Sequence, residues 1–269
     1  LFLLLLICHS QLAIKTSVRT FYICVIIFMV TPQFLQAQEV YELFERSHKE
    51  AVLPDTWGPM DGKTPLNFVE TSWLEKTIVI GGNISSKIAG ISRPCPQVKA
   101  GEVATYYCEF SLLDEELFHY LGYSSLPLEG VRSSGTLSMW LLLRKSSTGE
   151  GVDIFVPTGQ KDAKRIYSSL RPDASVTYCL WLVMDSKNSC FDVYLKSQRG
   201  KATEDDLLAR KVPFHKGLKG PVQSFAVMCK KCAEPKNGSL ELKNWAYGKG
   251  VQLGGINTAL AGGPESSQK

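Results

Sequence analysis

The chain has 269 residues, 44% of them hydrophobic and 21% charged, with a formal net charge of +4. This composition excludes a wholly disordered or collagen-like chain, and the charge is too slight to imply a nucleic-acid partner. At roughly 150 residues per domain, the length suits one large domain or two small ones.

Residues 1–38 hold Lys15 and Arg19 and no acidic residue. An apolar run from Phe21 to Val30 follows the basic pair, and Gln36-Ala37-Gln38 follows the run. A charged start, a short apolar stretch and a small residue read as a secretory leader cleaved near Ala37. The run rises about 15 Å as a helix, short of a bilayer. Leu1 to Leu6 is a second apolar run. Counting both runs together gives the rival reading, a retained anchor, but Lys15 and Arg19 interrupt it. The chain beyond is therefore expected to be secreted, periplasmic or at the cell surface, with no stable membrane span.

From residue 39 onward, alternation bounded by Gly, Pro, Asn and Ser signals strands. Thr105 to Leu112 places Tyr106, Cys108, Phe110 and Leu112 on one side. Leu113 to Tyr120 reads as a single helical turn. Gly135 to Leu143 is apolar at nearly every residue, as a central strand should be. Val152 to Val156 is short, and Val176 to Met184 is again nearly continuous. Phe191, Val193 and Leu195 alternate with Asp192, Tyr194 and Lys196. Glu204 to Arg210 is the best remaining helical candidate. Val222 to Met228 and Ser239 to Tyr247 flank the turn signal Pro235-Lys236-Asn237-Gly238. Seven or more strands with few helices predict an all-β antiparallel sandwich or barrel. About 200 residues exceed an immunoglobulin unit and suit one jelly roll over 39–253. The Gly- and Ser-rich tail, 254–269, is expected to be flexible.

Eight cysteines become six without Cys8 and Cys24 of the leader. An even number in an exported chain suggests disulfides, and six allow 15 pairings. They fall into neighbouring couples: Cys95 with Cys108, Cys179 with Cys190, and Cys229 with Cys232. A turn centred near Lys187 sets Cys190 opposite about residue 184, so a 179–190 bond demands an irregular hairpin. Cys95 and Cys108 are expected nearly opposite each other. Cys229 and Cys232 form half a zinc ligand set, but the second half is missing.

Several stretches together resemble a family. They are Val40 to Glu45 (VYELFE) followed by Trp73 and a Gly-rich stretch, Gly101 to Leu112, Tyr178 to Asp185 with Phe191 to Tyr194, and Gly238 to Tyr247. They resemble the laminin-G-like jelly rolls of exported bacterial proteins, within the concanavalin A-like lectin/glucanase superfamily. The resemblance covers residues 39–253 by pattern. It implies a jelly-roll sandwich, and carbohydrate binding or glycosidase activity as the function to test. Two features depart from the family: Lys243-Asn244 stands where an acidic pair is usual, and the cysteines are extra.

The residues point away from catalysis. A glycosidase needs two carboxyl groups about 5–9.5 Å apart, and the Glu-x-Asp-x-x-Glu strand of the superfamily's glucanases is absent. Asp114-Glu115-Glu116 and Glu204-Asp205-Asp206 read as solvated acidic turns. Calcium is the cation their oxygens would suit, but nothing further supports it, and no cofactor is expected. His48, His119 and His215 accompany no nucleophile elbow, and Gly81-Gly82 lacks the rest of a phosphate loop.

Sugar binding needs an aromatic platform with polar groups beside it. If Phe191, Val193 and Leu195 face the core, then Asp192, Tyr194 and Lys196 face outward. If Leu137, Met139, Leu141 and Leu143 face the core, Trp140 and Arg144 share the other side. Tyr107 and Glu109 oppose Cys108 and Phe110. These seven outward residues are the candidate glycan-binding set, although Trp140 and Trp181 lie in apolar strands that also suit a core. Asn83-Ile84-Ser85 and Asn237-Gly238-Ser239 match glycosylation sequons, which carry no meaning in a bacterial chain. The expected function is an exported carbohydrate-binding module with a glycan partner. A structural or adhesive surface protein and an unrecognised polysaccharide-degrading enzyme are the rivals.

Overall fold

The computed structural model describes residues 39–40, 58–59, 69–72, 77–81, 89–217, 221–229 and 239–254. Gln38–Lys269 and Leu1–Ala37 are separate units, and every described residue belongs to the first. The leader, the sequon asparagines Asn83 and Asn237, His48, Cys232 and the tail beyond Gly254 lie outside the described residues.

The strands are β1 (Glu39–Val40), β2 (Gly58–Pro59), β3 (Val69–Ser72), β4 (Thr77–Ile80), β5 (Ala89–Pro94), β6 (Val103–Leu112) and β7 (Phe118–Ser124). There follow β8 (Met139–Lys145), β9 (Val152–Pro157), β10 (Ala163–Leu170), β11 (Tyr178–Asp185), β12 (Cys190–Lys196), β13 (Leu207–Pro213), β14 (Ser224–Cys229) and β15 (Leu240–Lys249). They form two antiparallel sheets. The first runs β13-β12-β11-β6-β15-β4-β3, with β1 also on β15, and the second runs β10-β9-β8-β7-β14-β5-β2.

The late strand β14 inserts between β7 and β5, and β15 inserts between β6 and β4. The chain thus rolls back on its own beginning across two sheets, and the fold is an all-β antiparallel sandwich of jelly-roll type. Helical structure among the described residues is limited to single 3-10 turns. None of it is a helix long and apolar enough to cross a membrane.

Strand alternation explains the core. Tyr106, Cys108, Phe110 and Leu112 of β6 meet Met139, Leu141 and Leu143 of β8 and Phe191, Val193 and Leu195 of β12 in one cluster between the sheets. The Tyr106 and Tyr123 rings lie 4.2 Å apart there, and Trp245 Nε1 donates to the Tyr123 hydroxyl at 2.9 Å. A second cluster on the outside of the first sheet holds Tyr107, Cys179, Trp181 and Tyr194. A third, on the outside of the second sheet, holds Trp140, Leu142 and Met228. Coverage on both faces is why β6, β8 and β11 are almost continuously apolar.

Three local expectations change. The stretch read as a helical turn at Leu113–Tyr120 contains the start of β7, because His119, Leu121 and Tyr123 alternate inward against Phe118 and Tyr120. Glu204–Asp206 is one 3-10 turn, after which the chain becomes the strand β13. Ser134–Thr136 is also a 3-10 turn, so Leu137 precedes β8 and joins the outer cluster rather than the core.

Two of the three cysteine couples do not bond: Cys95, Cys108, Cys179 and Cys190 are free thiols. Cys190 pairs with Asp185, and Cys179 pairs with Lys196 at the far end of the same hairpin. Cys95 follows β5 in one sheet while Cys108 lies in β6 of the other, so no hairpin sets them opposite. Burial pushes both of those thiols well above their ordinary range. Cys229 ends β14, buried in the core, and its neighbour Cys232 lies outside the described residues.

Candidate functional site

The seven sequence-derived residues divide between two opposite outer faces of the sandwich. Tyr107, Glu109, Asp192, Tyr194 and Lys196 belong to the first sheet, and Trp140 and Arg144 to the second. The expectation of a single binding face is therefore corrected.

On the first sheet the residues are covered. Tyr107 and Glu109 are each 1% exposed, and Tyr194 is 4% exposed. The segment after β12 and the stretch just after β15 lie over them, joined where Ala202 N–H donates to Leu253 O at 2.8 Å and Trp181 Nε1 donates to Gly254 O at 3.0 Å. The Tyr107 hydroxyl donates to Glu109 Oε1 at 2.7 Å. Arg199 Nε and Nη2 donate to Glu109 Oε2 at 3.1 and 2.8 Å, and Asn244 Nδ2 donates to the same oxygen at 2.8 Å. Burial, then hydrogen bonding to Cys179 and the charge of Glu109, hold the Tyr107 phenol well above its ordinary value. The neutral Asn244 suits this position, since an acid there would repel Glu109. Lys196 pairs with Asp206 at 3.7 Å. Asp192 accepts the Lys211 N–H at 2.6 Å. This constellation holds the fold together and offers no ring to a ligand.

The second sheet differs. Trp140 is 4% exposed and packs among Leu126, Val131 and Leu137 of the β7–β8 connection. That connection comes so close to Gly122 that a Cβ there would meet Leu137 Cδ1 at 2.6 Å. Neither Trp140 Nε1 nor the buried His215 Nδ1 has a hydrogen-bond partner among the described residues, and the two rings sit 5.7 Å apart. Burial, together with the charge of Lys216, lowers the His215 pKa against a hydrogen bond to the Gln160 backbone.

Beyond this cover the sheet presents a half-buried aromatic strip of Phe118 and Tyr120 on β7 and Phe155 on β9. Tyr120 stacks edge-on against Trp140 at 5.4 Å and lies 5.9 Å from Phe118. Leu142 pairs with Tyr120 on one side and Phe155 on the other, so the strip crosses three adjacent strands. The Arg144 guanidinium lies 4.7 Å over the Phe155 ring, a cation–π contact. Arg165 pairs with Phe155 in register, and its Nη1 donates to the buried Asp153 Oδ2 at 3.1 Å. Of the seven expected residues, Trp140 touches this strip from beneath its cover and Arg144 lies over it. Phe118, Tyr120 and Phe155 were missed, although Phe118 to Tyr123 alternates as a strand should.

Several of the remaining acidic groups are taken up in ion pairs. Glu115 and Glu116 pair with Lys145, and Glu204 pairs with Arg210. No group of three or more His, Cys, Asp or Glu side chains is placed to hold a metal ion among the described residues. His119 is buried in the core, with Nε2 at 3.0 Å from Ile80 O, and burial pushes its pKa down to about 4.

No family model matches this chain, and no curated protein matches it. Among solved structures, the Lotus tetragonolobus seed lectin is similar at 8% identity and a TM-score of 0.49, over 80% of this chain and 99% of the lectin. The T. cruzi calreticulin globular domain is similar at 12% identity and a TM-score of 0.46, over 73% of this chain and 85% of that one. A GH131 β-glucanase catalytic domain from Podospora anserina is similar at 10% identity and 0.46, over 74% and 85%. None of these assigns a ligand or an activity here, and the jelly-roll assignment rests on the strand order of this chain.

Proposed function

We propose that this chain is an exported carbohydrate-binding module, with the sugar seated on the outer face of the seven-stranded sheet. The half-buried aromatic strip of Phe118, Tyr120 and Phe155, with Arg144 over Phe155, carries the reading. The apolar face of a pyranose packs on such rings, and a guanidinium beside them donates to its hydroxyls. Rings already held by their neighbours lose little freedom when a ligand arrives. The apolar run Phe21–Val30 supports export as part of the same reading.

A glycan array probed with the full chain and with Phe155→Ala tests this. The expected result is a sugar hit that weakens about tenfold or more in a variant that still unfolds cooperatively, as for loss of a stacking ring. A silent array, or a hit indifferent to Phe155, would overturn the proposal.

A further inference from the structure

The open side of the sandwich, away from β2 and β3, is bordered by two edge strands. β10 ends the seven-stranded sheet and β13 ends the other. Between them lies a groove of about 640 Å³. Ile166 and Leu208 contribute to its apolar lining, Lys164, Arg165, Arg210 and Lys211 also line it, and no acidic residue does. Arg165 and Arg210 are neutralised by Asp153 and Glu204. Lys164 and Lys211 are exposed and form no ion pair with a described residue, so the groove keeps a positive excess.

Lys211 is set in place by the backbone. Its φ is 52°, a conformation rare outside glycine, and its N–H is held by the Asp192 carboxylate at 2.6 Å. One of the two register shifts in the β12–β13 pairing falls at Lys211, which is how a bulge re-aims a side chain. Asp192, expected from the sequence to touch ligand, instead positions a lysine.

We propose that this groove binds a linear anionic glycan, carrying sulfate or carboxylate groups, at a site separate from the aromatic strip. A positive excess in a groove with no acidic lining residue favours polyanions. The groove has no aromatic lining residue, which disfavours single-stranded nucleic acid, whose bases stack on such rings. Register shifts also interrupt the pairing of β10 between Arg165 and Leu170. An acidic peptide added as a further strand needs a regular edge, which both borders lack. A charged glycan needs only the side-chain cations.

The test is fluorescence polarisation of a labelled heparin hexasaccharide with the full chain and with the double variant Lys164→Gln/Lys211→Gln. Both lysines are exposed, and thermal unfolding is compared to confirm that the variant folds. Binding at low salt is expected to weaken about tenfold in the double variant, to fall further with added salt, and to resist competition by neutral cellohexaose. Phe155→Ala is expected to bind heparin within about twofold of the unaltered chain, since that ring does not line the groove. Absence of binding, or equal binding by the double variant, would overturn the proposal and leave the lysines as guards against edge pairing. Equal competition by a hexaglutamate peptide would overturn the choice of a glycan. An equal loss in Phe155→Ala would overturn the separateness of the two sites.

Discussion

Glu109 and Arg199 stand 90 residues apart in the chain, yet Arg199 Nε and Nη2 end on the same carboxylate oxygen, at 3.1 and 2.8 Å. The carboxylate side chain is 2% exposed and the guanidinium 55%. The pair ties the segment after β12 onto the outside of the first sheet, above Tyr107 and Trp181.

Removing either partner should loosen that cover unequally. Arg199→Ala is expected to cost about 1–2 kcal/mol, because its half-exposed charge is already screened by water. Glu109→Ala is expected to cost about 3–4 kcal/mol, because it also leaves the Tyr107 hydroxyl and the Asn244 amide without their acceptor. Urea unfolding of both variants checks this, and an equal or larger cost for Arg199→Ala would show that Tyr107 and Asn244 do not by themselves hold the buried carboxylate.

His119 should make stability depend on pH. Burial holds its folded pKa near 4, below its ordinary value of 6.5. The unfolded chain therefore binds the proton first, so the contribution is complete above about pH 6.5 and is lost as pH falls toward 4. The shift corresponds to about 3 kcal/mol. Unfolding measured at several pH values should show this slope, and His119→Gln should flatten it over the same window even if its overall stability is lower. An unchanged slope would remove His119 as the cause.

The thiols should separate by burial. Cys95, Cys108 and Cys179 are buried, whereas Cys190 at the β11–β12 turn is half-buried. Brief iodoacetamide treatment of the native chain, mapped by mass spectrometry, should label Cys190 well before these three. All four should label together in denaturant without reductant, since none is disulfide-bonded. Early labelling of Cys108 would contradict its place between the sheets.

Trp140 should act as a core residue. Trp140→Ala is expected to cost about 3–5 kcal/mol, as for other buried aromatic side chains. Gly122→Ala should cost about 1–3 kcal/mol by forcing the new methyl against Leu137 and the Met139 carbonyl. Thermal or urea unfolding measures both. A stable Trp140→Ala chain would mean that Leu126, Val131 and Leu137 do not pack over the indole as described.

Side-chain direction was the part of the site most legible before the structure. A strand turns each successive residue to the opposite face, so Tyr106, Cys108 and Phe110 could be separated from Tyr107 and Glu109 by counting alone. The same counting set Phe191, Val193 and Leu195 inward and put Cys190 one residue from its true partner, Asp185. It failed at β7 and β13, where short apolar spacings fit a helical turn as well as a strand. β10 was invisible because an exposed edge strand needs no apolar face.

Local chemistry and a period of two suffice to establish an all-β chain, its long central strands and the inward and outward sets on each. Which outward residues stay outside depends on packing between distant parts of the chain. Tyr107 and Tyr194 vanish under the segment around Ala202 and Leu253, and Trp140 under Leu126, Val131 and Leu137, while Phe155 remains half-buried. The expected Cys95–Cys108 bond fails for the same reason: β5 and β6 follow one another in sequence but lie in opposite sheets. Cover and sheet assignment depend on contacts between residues far apart in the chain, and alternation within one strand carries no record of them.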